Sequence, residues 1–88
     1  MKKMKTRSGY IAYKATALET LQIGGQGICD ECNTYSETGY LVPVLNHYQR
    51  PSCFKAWKKR VKYYPEDRYI EDRNAAWYEH RIPLDAEQ

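Results

Sequence analysis

Apolar residues in the second half of the chain recur every three or four positions, which is the period of one helix face. The residues of this stripe are Phe54, Trp57, Val61 and Tyr64. Ser52 is the predicted N-cap, because its hydroxyl can accept a hydrogen bond from a backbone N–H of the first turn. The helix is expected to end near Tyr63, since Pro65 disfavours helical backbone at the residue before it.

A last helix is predicted over residues 67–81. Acidic residues lie in its first part and basic residues at its end, an order that suits the helix dipole. Ile70 and Trp77 are separated by two helical turns and therefore share a face. Pro83 ends the pattern, and residues 83–88 are expected to form a loose C-terminus.

The first half of the chain predicts short strands and one short helix. Residues 10–14 and 40–45 are rich in aromatic and branched side chains, which favour strands, and a further strand is expected over 48–50. Thr16 and Glu19 have the spacing of a capping box, in which each residue satisfies a backbone N–H of the other. They open a short N-terminal helix, which a glycine-rich stretch ends.

These elements predict the α+β fold class, with a short helix, a β-hairpin, a basic helix and a C-terminal helix. The chain has 88 residues, which gives room for one domain, predicted over residues 10–82. Residues 1–9 are basic and polar and are expected to form a flexible N-terminus. A core of this size is marginal, so a metal, a disulfide or a partner is expected to stabilise it.

Charge is distributed unevenly along the chain, although the net charge is only +3. Residues 1–63 contain 11 Lys or Arg and 4 Asp or Glu, a net of +7, whereas residues 64–88 contain 3 and 7, a net of −4. A basic body can attract a polyanion, although a charged solvated surface would have the same composition. No stretch approaches the ~20 apolar residues of a membrane span, and no secretory signal is visible, so we expect a cytoplasmic protein.

Three cysteines, Cys29, Cys32 and Cys53, predict a structural zinc site (Zn2+). The Cys-x-x-Cys spacing places two thiolates on one tight turn, where both can reach one tetrahedral ion. Cys53 is the predicted third ligand, since it lies at the start of a helix whose dipole favours a thiolate. His47 is the first candidate for the fourth ligand, although the chain would have to curl back to deliver it, and His80 is the other.

Three alternatives to this site stay open. The cysteines can be buried as small apolar residues, or the close pair can act as a redox dithiol, which no surrounding βαβ pattern supports. Arg50 occupies the position three residues before Cys53, where a fourth ligand is expected. In a metal-free protein, Arg50 would instead ion-pair with Asp30 or Glu31. These two charged residues between the paired cysteines disfavour a plain core role.

The order of knuckle, hairpin and helix resembles a treble-clef zinc finger. It is most similar to a group of small, largely uncharacterised proteins of Gram-positive bacteria and their phages. The matching segments are Ile28-Cys-Asp-Glu-Cys32, Pro43-Val-Leu-Asn46 and Cys53-Phe-x-x-Trp57. Where that group has the first cysteine of the helix, this chain has Arg50. The resemblance implies a zinc-stabilised binding domain and does not fix its ligand.

Two binding functions are predicted, and no enzymatic one. The first is nucleic-acid binding, in which a basic helix contacts phosphates. The predicted contact residues are Lys55, Lys58, Lys59 and Lys62. The alternative is a protein–protein interaction module, such as a phage or mobile-element accessory protein that modulates host machinery, since the nine tyrosines give an interface composition. No catalytic arrangement, phosphate-binding loop or small-molecule site stands out in the sequence.

Overall fold

A four-stranded antiparallel sheet forms the centre of the computed structural model, which describes residues 1–85. The strands lie in the order β1-β2-β3-β4, so each pairs with the next along the chain. Their bounds are Lys2–Lys5 for β1, Ile11–Thr16 for β2, Thr38–Val42 for β3 and His47–Gln49 for β4. The helices are α1 Ala17–Thr20, α2 Pro51–Arg60 and α3 Arg68–Arg81, with 3-10 turns at Leu21–Ile23 and Pro65–Asp67.

Side chains alternate across the strands and divide the core into two clusters, one on each face of the sheet. Tyr13 of β2 packs on one face, where its ring meets the ring of Tyr78 from α3 edge-on at 5.9 Å. The preceding residue, Ala12, packs on the other face with Phe54 and Trp57 of α2. Helices α2 and α3 therefore cover opposite faces of the sheet. This arrangement confirms the predicted small α+β fold, while the treble-clef assignment stays a prediction.

The N-terminal segment, predicted to be flexible over residues 1–9, contains strand β1, which pairs along its length with β2. Met1 is buried, and its amino group donates to a carboxylate oxygen of Glu19 at 2.8 Å and of Asp85 at 3.1 Å. Burial lowers the pKa of this amino group, but the two carboxylates raise it by more. The sequence did not indicate this strand, because the backbone of β1 pairs with β2 while its lysine side chains stay exposed, as they would in a solvated tail.

The predicted loose C-terminus, residues 83–88, is described only in part. The carbonyl of Pro83 accepts a hydrogen bond from the Met1 amino group at 3.0 Å, and the Asp85 N–H donates to the Met1 carbonyl at 2.8 Å. Residues 83–85 are thus held against the N-terminus. Residues 86–88 lie outside the part of the chain that the structure describes.

Local signals at the helix ends are partly confirmed. The capping box of α1 is present, with the Glu19 N–H donating to Thr16 Oγ1 at 3.1 Å and the Thr16 N–H donating to Glu19 Oε1 at 2.9 Å. The predicted N-cap of α2, Ser52, is wrong. Helix α2 begins at Pro51, whose ring fixes a helical φ at the first position, and Arg50 is the N-cap. It ends at Arg60, earlier than predicted.

Gly39 of β3 allows the sheet to pack closely at the β3–β4 hairpin. A Cβ atom at this position would lie 2.6 Å from the Gln49 carbonyl oxygen and 2.7 Å from the Tyr48 ring. We therefore expect Gly39→Ala to lower the free energy of unfolding by about 1–3 kcal/mol, as overpacked core positions do. Urea denaturation measures the change. Thr38→Ala, at the exposed neighbouring position, is the control, and equal stability of both variants would contradict the close packing.

Candidate metal centre

The knuckle is a tight turn closed by backbone hydrogen bonds. The Cys29 N–H donates to the Thr34 carbonyl at 2.9 Å, and the Asn33 N–H donates back to the Cys29 carbonyl at 2.7 Å. Asn33 has a left-handed backbone (φ 62°), which asparagine tolerates better than most residues. These bonds bring the side chains of Cys29 and Cys32 to the same side of the turn, as the Cys-x-x-Cys spacing predicts.

The two acidic residues inside the knuckle are used to attach it to the rest of the fold. The Asp30 N–H donates to the Tyr48 carbonyl, and the Tyr48 N–H donates to Asp30 Oδ2, both at 2.8 Å, so Asp30 caps the edge of β4. Glu31 forms an ion pair with Arg60 at 3.2 Å. In the described chain both carboxylates therefore have partners other than Arg50, so the predicted ion pair of Arg50 with one of them is wrong.

Cys53 completes a cluster of three thiols. It lies in the first turn of α2, and the sulfur atoms of Cys29, Cys32 and Cys53 all lie within 4.8 Å of one another. Sulfurs bound to one tetrahedral zinc ion are about 3.8 Å apart, since each Zn–S bond is about 2.3 Å long. The three predicted cysteines can thus hold one metal ion. The alternative of three buried apolar cysteines is wrong, because Cys32 is exposed and only Cys29 is fully buried.

Neither predicted histidine joins this cluster among the residues that the structure describes. His47 lies in β4, where its backbone pairs with Val42, and the extended strand does not curl back toward the cysteines as a histidine ligand would require. Its Nδ1 is buried without a hydrogen-bond partner in residues 1–85. His80 is exposed in the last turn of α3. The protein side of the site therefore has three ligands.

Arg50 faces the cluster from the N-cap of α2. Hydrogen bonding to the Cys53 thiol is the main cause of a raised Arg50 pKa, followed by the charges of Cys32 and Cys53. An arginine stays protonated and offers no lone pair, so Arg50 cannot be a metal ligand. It supplies a positive charge beside the sulfurs instead. The sequence indicated that position 50 is the expected place of a fourth ligand. The alternative considered there was an ion pair of Arg50 with a carboxylate of the knuckle.

The thiols differ in acidity. Hydrogen bonding from Thr34, assisted by Cys29 and Cys53, lowers the pKa of Cys32 to about 6. The Arg50 guanidinium lowers the pKa of Cys53, but burial and the two neighbouring cysteines raise it by more. The lowered pKa favours the thiolate of Cys32, and thiolates are the form of cysteine that binds metal. Binding of a metal ion by the three cysteines would release the thiol protons that remain.

A cationic groove lies beside the part of α2 that follows Cys53. Its volume is ≈ 600 Å³, and it is lined by Met4, Lys5, Thr6, Arg7, Lys55, Lys58 and Lys59. Three of the four predicted nucleic-acid contacts therefore lie in one groove. Lys62 does not line it, and its Nζ lies 5.9 Å from the centre of the Tyr64 ring. The sequence shows a basic N-terminus, but it does not indicate that Lys5 and Arg7 lie beside α2.

We compared the chain with protein-family models, with curated proteins and with solved structures, and none of these comparisons found a match. The resemblance to proteins of Gram-positive bacteria and phages therefore stays a prediction. Among the helices of residues 1–85, none combines the length and the apolar character that crossing a bilayer requires.

Proposed function

We propose that this protein is a small nucleic-acid-binding module in which a structural zinc ion holds the knuckle to α2. The observation that carries the proposal is the cationic groove, in which five positive side chains from two distant segments converge without a carboxylate among the lining residues. Such a surface can follow a phosphate backbone, since each neutralised phosphate releases counterions and thereby favours binding. The proposed role is binding rather than catalysis.

The segment that carries Arg7 is held in a defined turn, so the N-terminal wall of the groove is ordered. Thr6 Oγ1 and the Thr6 N–H both donate to the Tyr10 carbonyl, at 2.9 and 2.8 Å, and the Gly9 N–H donates to the Thr6 carbonyl at 3.0 Å. Arg7 itself is exposed at the tip of this turn. A preorganised cation loses less conformational entropy on binding a phosphate than a frayed one does.

The cations of the groove are available to a ligand. Within residues 1–85, none of the five forms a salt bridge with a carboxylate. All five are exposed, and the Nζ of Lys58 lies 4.8 Å from the centre of the Phe54 ring. Exposed lysines and arginines contact phosphates whatever the base sequence. The groove is therefore suited to binding the nucleic-acid backbone rather than to reading base edges.

The proposed zinc ion would be bound by Cys29, Cys32 and Cys53. Three thiolates and Zn2+ carry a net charge of −1, which the adjacent guanidinium of Arg50 balances. A metal held in this way links the knuckle to the first turn of α2 and fixes the helix that carries Lys55, Lys58 and Lys59. The zinc therefore supports the groove from a distance and does not contact the nucleic acid in this proposal.

Charge reversal in the groove tests the nucleic-acid function. We expect Lys58→Glu with Lys59→Glu to weaken binding about 10-fold to 100-fold, and to reduce the slope of log affinity against log salt by about one unit per lost contact. Fluorescence anisotropy with labelled single-stranded and double-stranded DNA and RNA across a salt series measures both quantities. Both side chains are exposed, so the fold should be retained.

The matched control is Lys2→Glu with Lys14→Glu, which makes the same charge change at two exposed, paired positions outside the groove. This control should lose much less affinity than the groove variant. Equal losses of affinity in the two variants would mean that binding depends on the net charge of the protein and not on the groove. Wild-type binding by the groove variant near physiological salt would overturn the proposed function.

The alternative function, a protein–protein interaction module, is favoured by a different observation. Several large apolar side chains are exposed outside the groove, among them Tyr69 (73 % exposed) on α3. A phage or mobile-element role for either function rests on the sequence resemblance alone.

A further inference from the structure

The solvent-facing side of α3 carries large apolar and aromatic residues where a helix on the surface of a small domain usually carries polar ones. Successive residues of a helix are rotated by about 100°, which places Tyr69, Arg73, Trp77 and His80 on the side opposite to the buried Ala75 and Tyr78, with Ile70 and Arg81 at one edge of that side. We call this set the α3 stripe: Tyr69, Ile70, Arg73, Trp77, His80 and Arg81. Ile70 is 41 % exposed and Trp77 is 40 % exposed, so the stripe is unpartnered in the single chain.

The stripe combines aromatic rings with positive charge. The guanidinium of Arg73 lies 5.8 Å from the centre of the Tyr69 ring, and that of Arg81 lies 5.4 Å from the centre of the Trp77 ring. Neither arginine forms a salt bridge within residues 1–85. Tyr, Trp and Arg are the residue types that supply most of the binding energy at protein interfaces.

The carboxylates of α3 lie outside the stripe. By the same helical rotation, Glu71 falls on the buried side and Asp72 and Glu79 on the flank. Glu79 is paired with Lys3 at 2.8 Å, and Asp72 is 3.9 Å from Arg68. The stripe itself therefore has two arginines without a compensating carboxylate from its own helix. Its charge is complementary to an acidic partner.

A cleft beside Trp77 provides room for an apolar anchor. It has a volume of ≈ 350 Å³, and its lining combines the apolar Ile23, Leu41 and Trp77 with polar residues that include Asp30 and His47. A pocket next to an exposed aromatic ring is the usual setting of an interface anchor, because the inserted side chain becomes fully desolvated. The stripe and the cleft meet at Trp77, and Arg73 and Arg81 lie on α3 beside that ring.

We propose that the α3 stripe docks an acidic amphipathic segment of a partner protein, with an apolar side chain in the cleft and carboxylates on Arg73 and Arg81. Because α3 and α2 cover opposite faces of the sheet, this surface and the cationic groove can be occupied together. The proposal is independent of nucleic-acid binding and would give the protein two partners.

The probe is a synthetic amphipathic peptide with Leu and Phe on one face and Glu on the other, used with the full-length chain. Titrations followed by two-dimensional amide NMR locate the peptide, and tryptophan fluorescence gives its affinity. We expect chemical-shift changes at the α3 stripe. Replacing the glutamates of the peptide by glutamine should weaken binding at least about 10-fold, and replacing them by lysine should abolish it.

Protein variants then test whether the peptide binds at the α3 stripe or is attracted by the overall charge of the protein. Arg73→Glu with Arg81→Glu, and separately Trp77→Ala, should each weaken the peptide at least about 10-fold. Arg68→Glu with Lys14→Glu makes the matched charge change outside the stripe and should have a small effect. Their amide spectra verify that all variants remain folded.

Three results would overturn the proposal. One is a glutamine peptide that binds as tightly as the glutamate peptide, since charge would then play no part. Another is a set of shift changes confined to the cationic groove, which would make the peptide a mimic of nucleic acid. The last is a protein dimer that Trp77→Ala dissociates, because the occupant of the stripe would then be a second copy of this chain.

Discussion

Removal of zinc is expected to lower the melting temperature of the protein by about 10–25 °C. In the proposed site the metal cross-links Cys32 to Cys53 and closes the intervening loop, which includes the β3–β4 hairpin. A cross-link over a loop of comparable length contributes about 3 kcal/mol by restricting the unfolded chain. One kcal/mol corresponds to about 4–8 °C in a domain of this size. The two core clusters should survive, because none of their residues lies in the knuckle, whereas the hydrogen bonds between Asp30 and Tyr48 at the edge of β4 should weaken.

The measurement combines elemental analysis with thermal unfolding, on protein purified without chelator and kept reduced. One zinc per chain, a lower melting temperature after chelation and recovery when zinc is added back are expected. Cys29→Ser should behave like the chelated protein and should not respond to chelator, because it removes the fully buried ligand. Protein without metal, with a melting curve that chelation leaves unchanged, would show that the cluster is not a metal site.

The features that were predicted correctly from sequence depend on residues close together in the chain. The capping box of Thr16 and Glu19 is set by a spacing of three residues, and the knuckle by the spacing of Cys29 and Cys32. In both cases the backbone geometry of one turn determines the contact. The approach of Cys53 to the knuckle is an exception, because β3 and β4 separate these cysteines in the chain and only the fold brings them together.

The features that were missed depend on residues far apart in the chain. Strand β1 is a run of lysines around Met4, and its pattern contains nothing that distinguishes a paired edge strand from a solvated tail. Its position is set by hydrogen bonding to β2 and by the buried amino group of Met1, whose partners include Asp85. The groove between β1 and α2 follows from that pairing. The sequence therefore indicated the lysines of α2, but not that Lys5 and Arg7 lie beside them.

The fourth ligand was misjudged for a related reason. His47 is close to Cys53 in sequence, but the register of β4 against β3 fixes where its side chain lies. In that register, His47 is not among the ligand atoms that lie within 4.8 Å of one another. The residue that does face the cluster is Arg50, at the N-cap of α2. Arg50 occupies the position, three residues before Cys53, at which the sequence predicts a fourth ligand, and that prediction stays open.

Arg50→Cys is expected to increase zinc affinity about 100-fold, which corresponds to about 2.7 kcal/mol. Arg50 is the N-cap of α2 and Cys53 is the third residue of the helix. Side chains at these two positions meet, as the capping box demonstrates, so a thiol at position 50 would lie beside that of Cys53. The new thiolate would give the ion the four protein ligands that structural zinc sites almost always have.

The affinity is measured by competition with a chromophoric chelator under reducing conditions. Arg50→Ser removes the guanidinium without adding a ligand and should bind zinc no more tightly than the natural chain, since it loses the charge that balances the thiolates. Ala56→Cys adds a thiol at an exposed position of the same helix and should leave the affinity unchanged. If Arg50→Cys binds zinc no more tightly than Arg50→Ser, position 50 does not face the metal. The predicted place of the fourth ligand would then be wrong, while the three cysteines could still hold the ion.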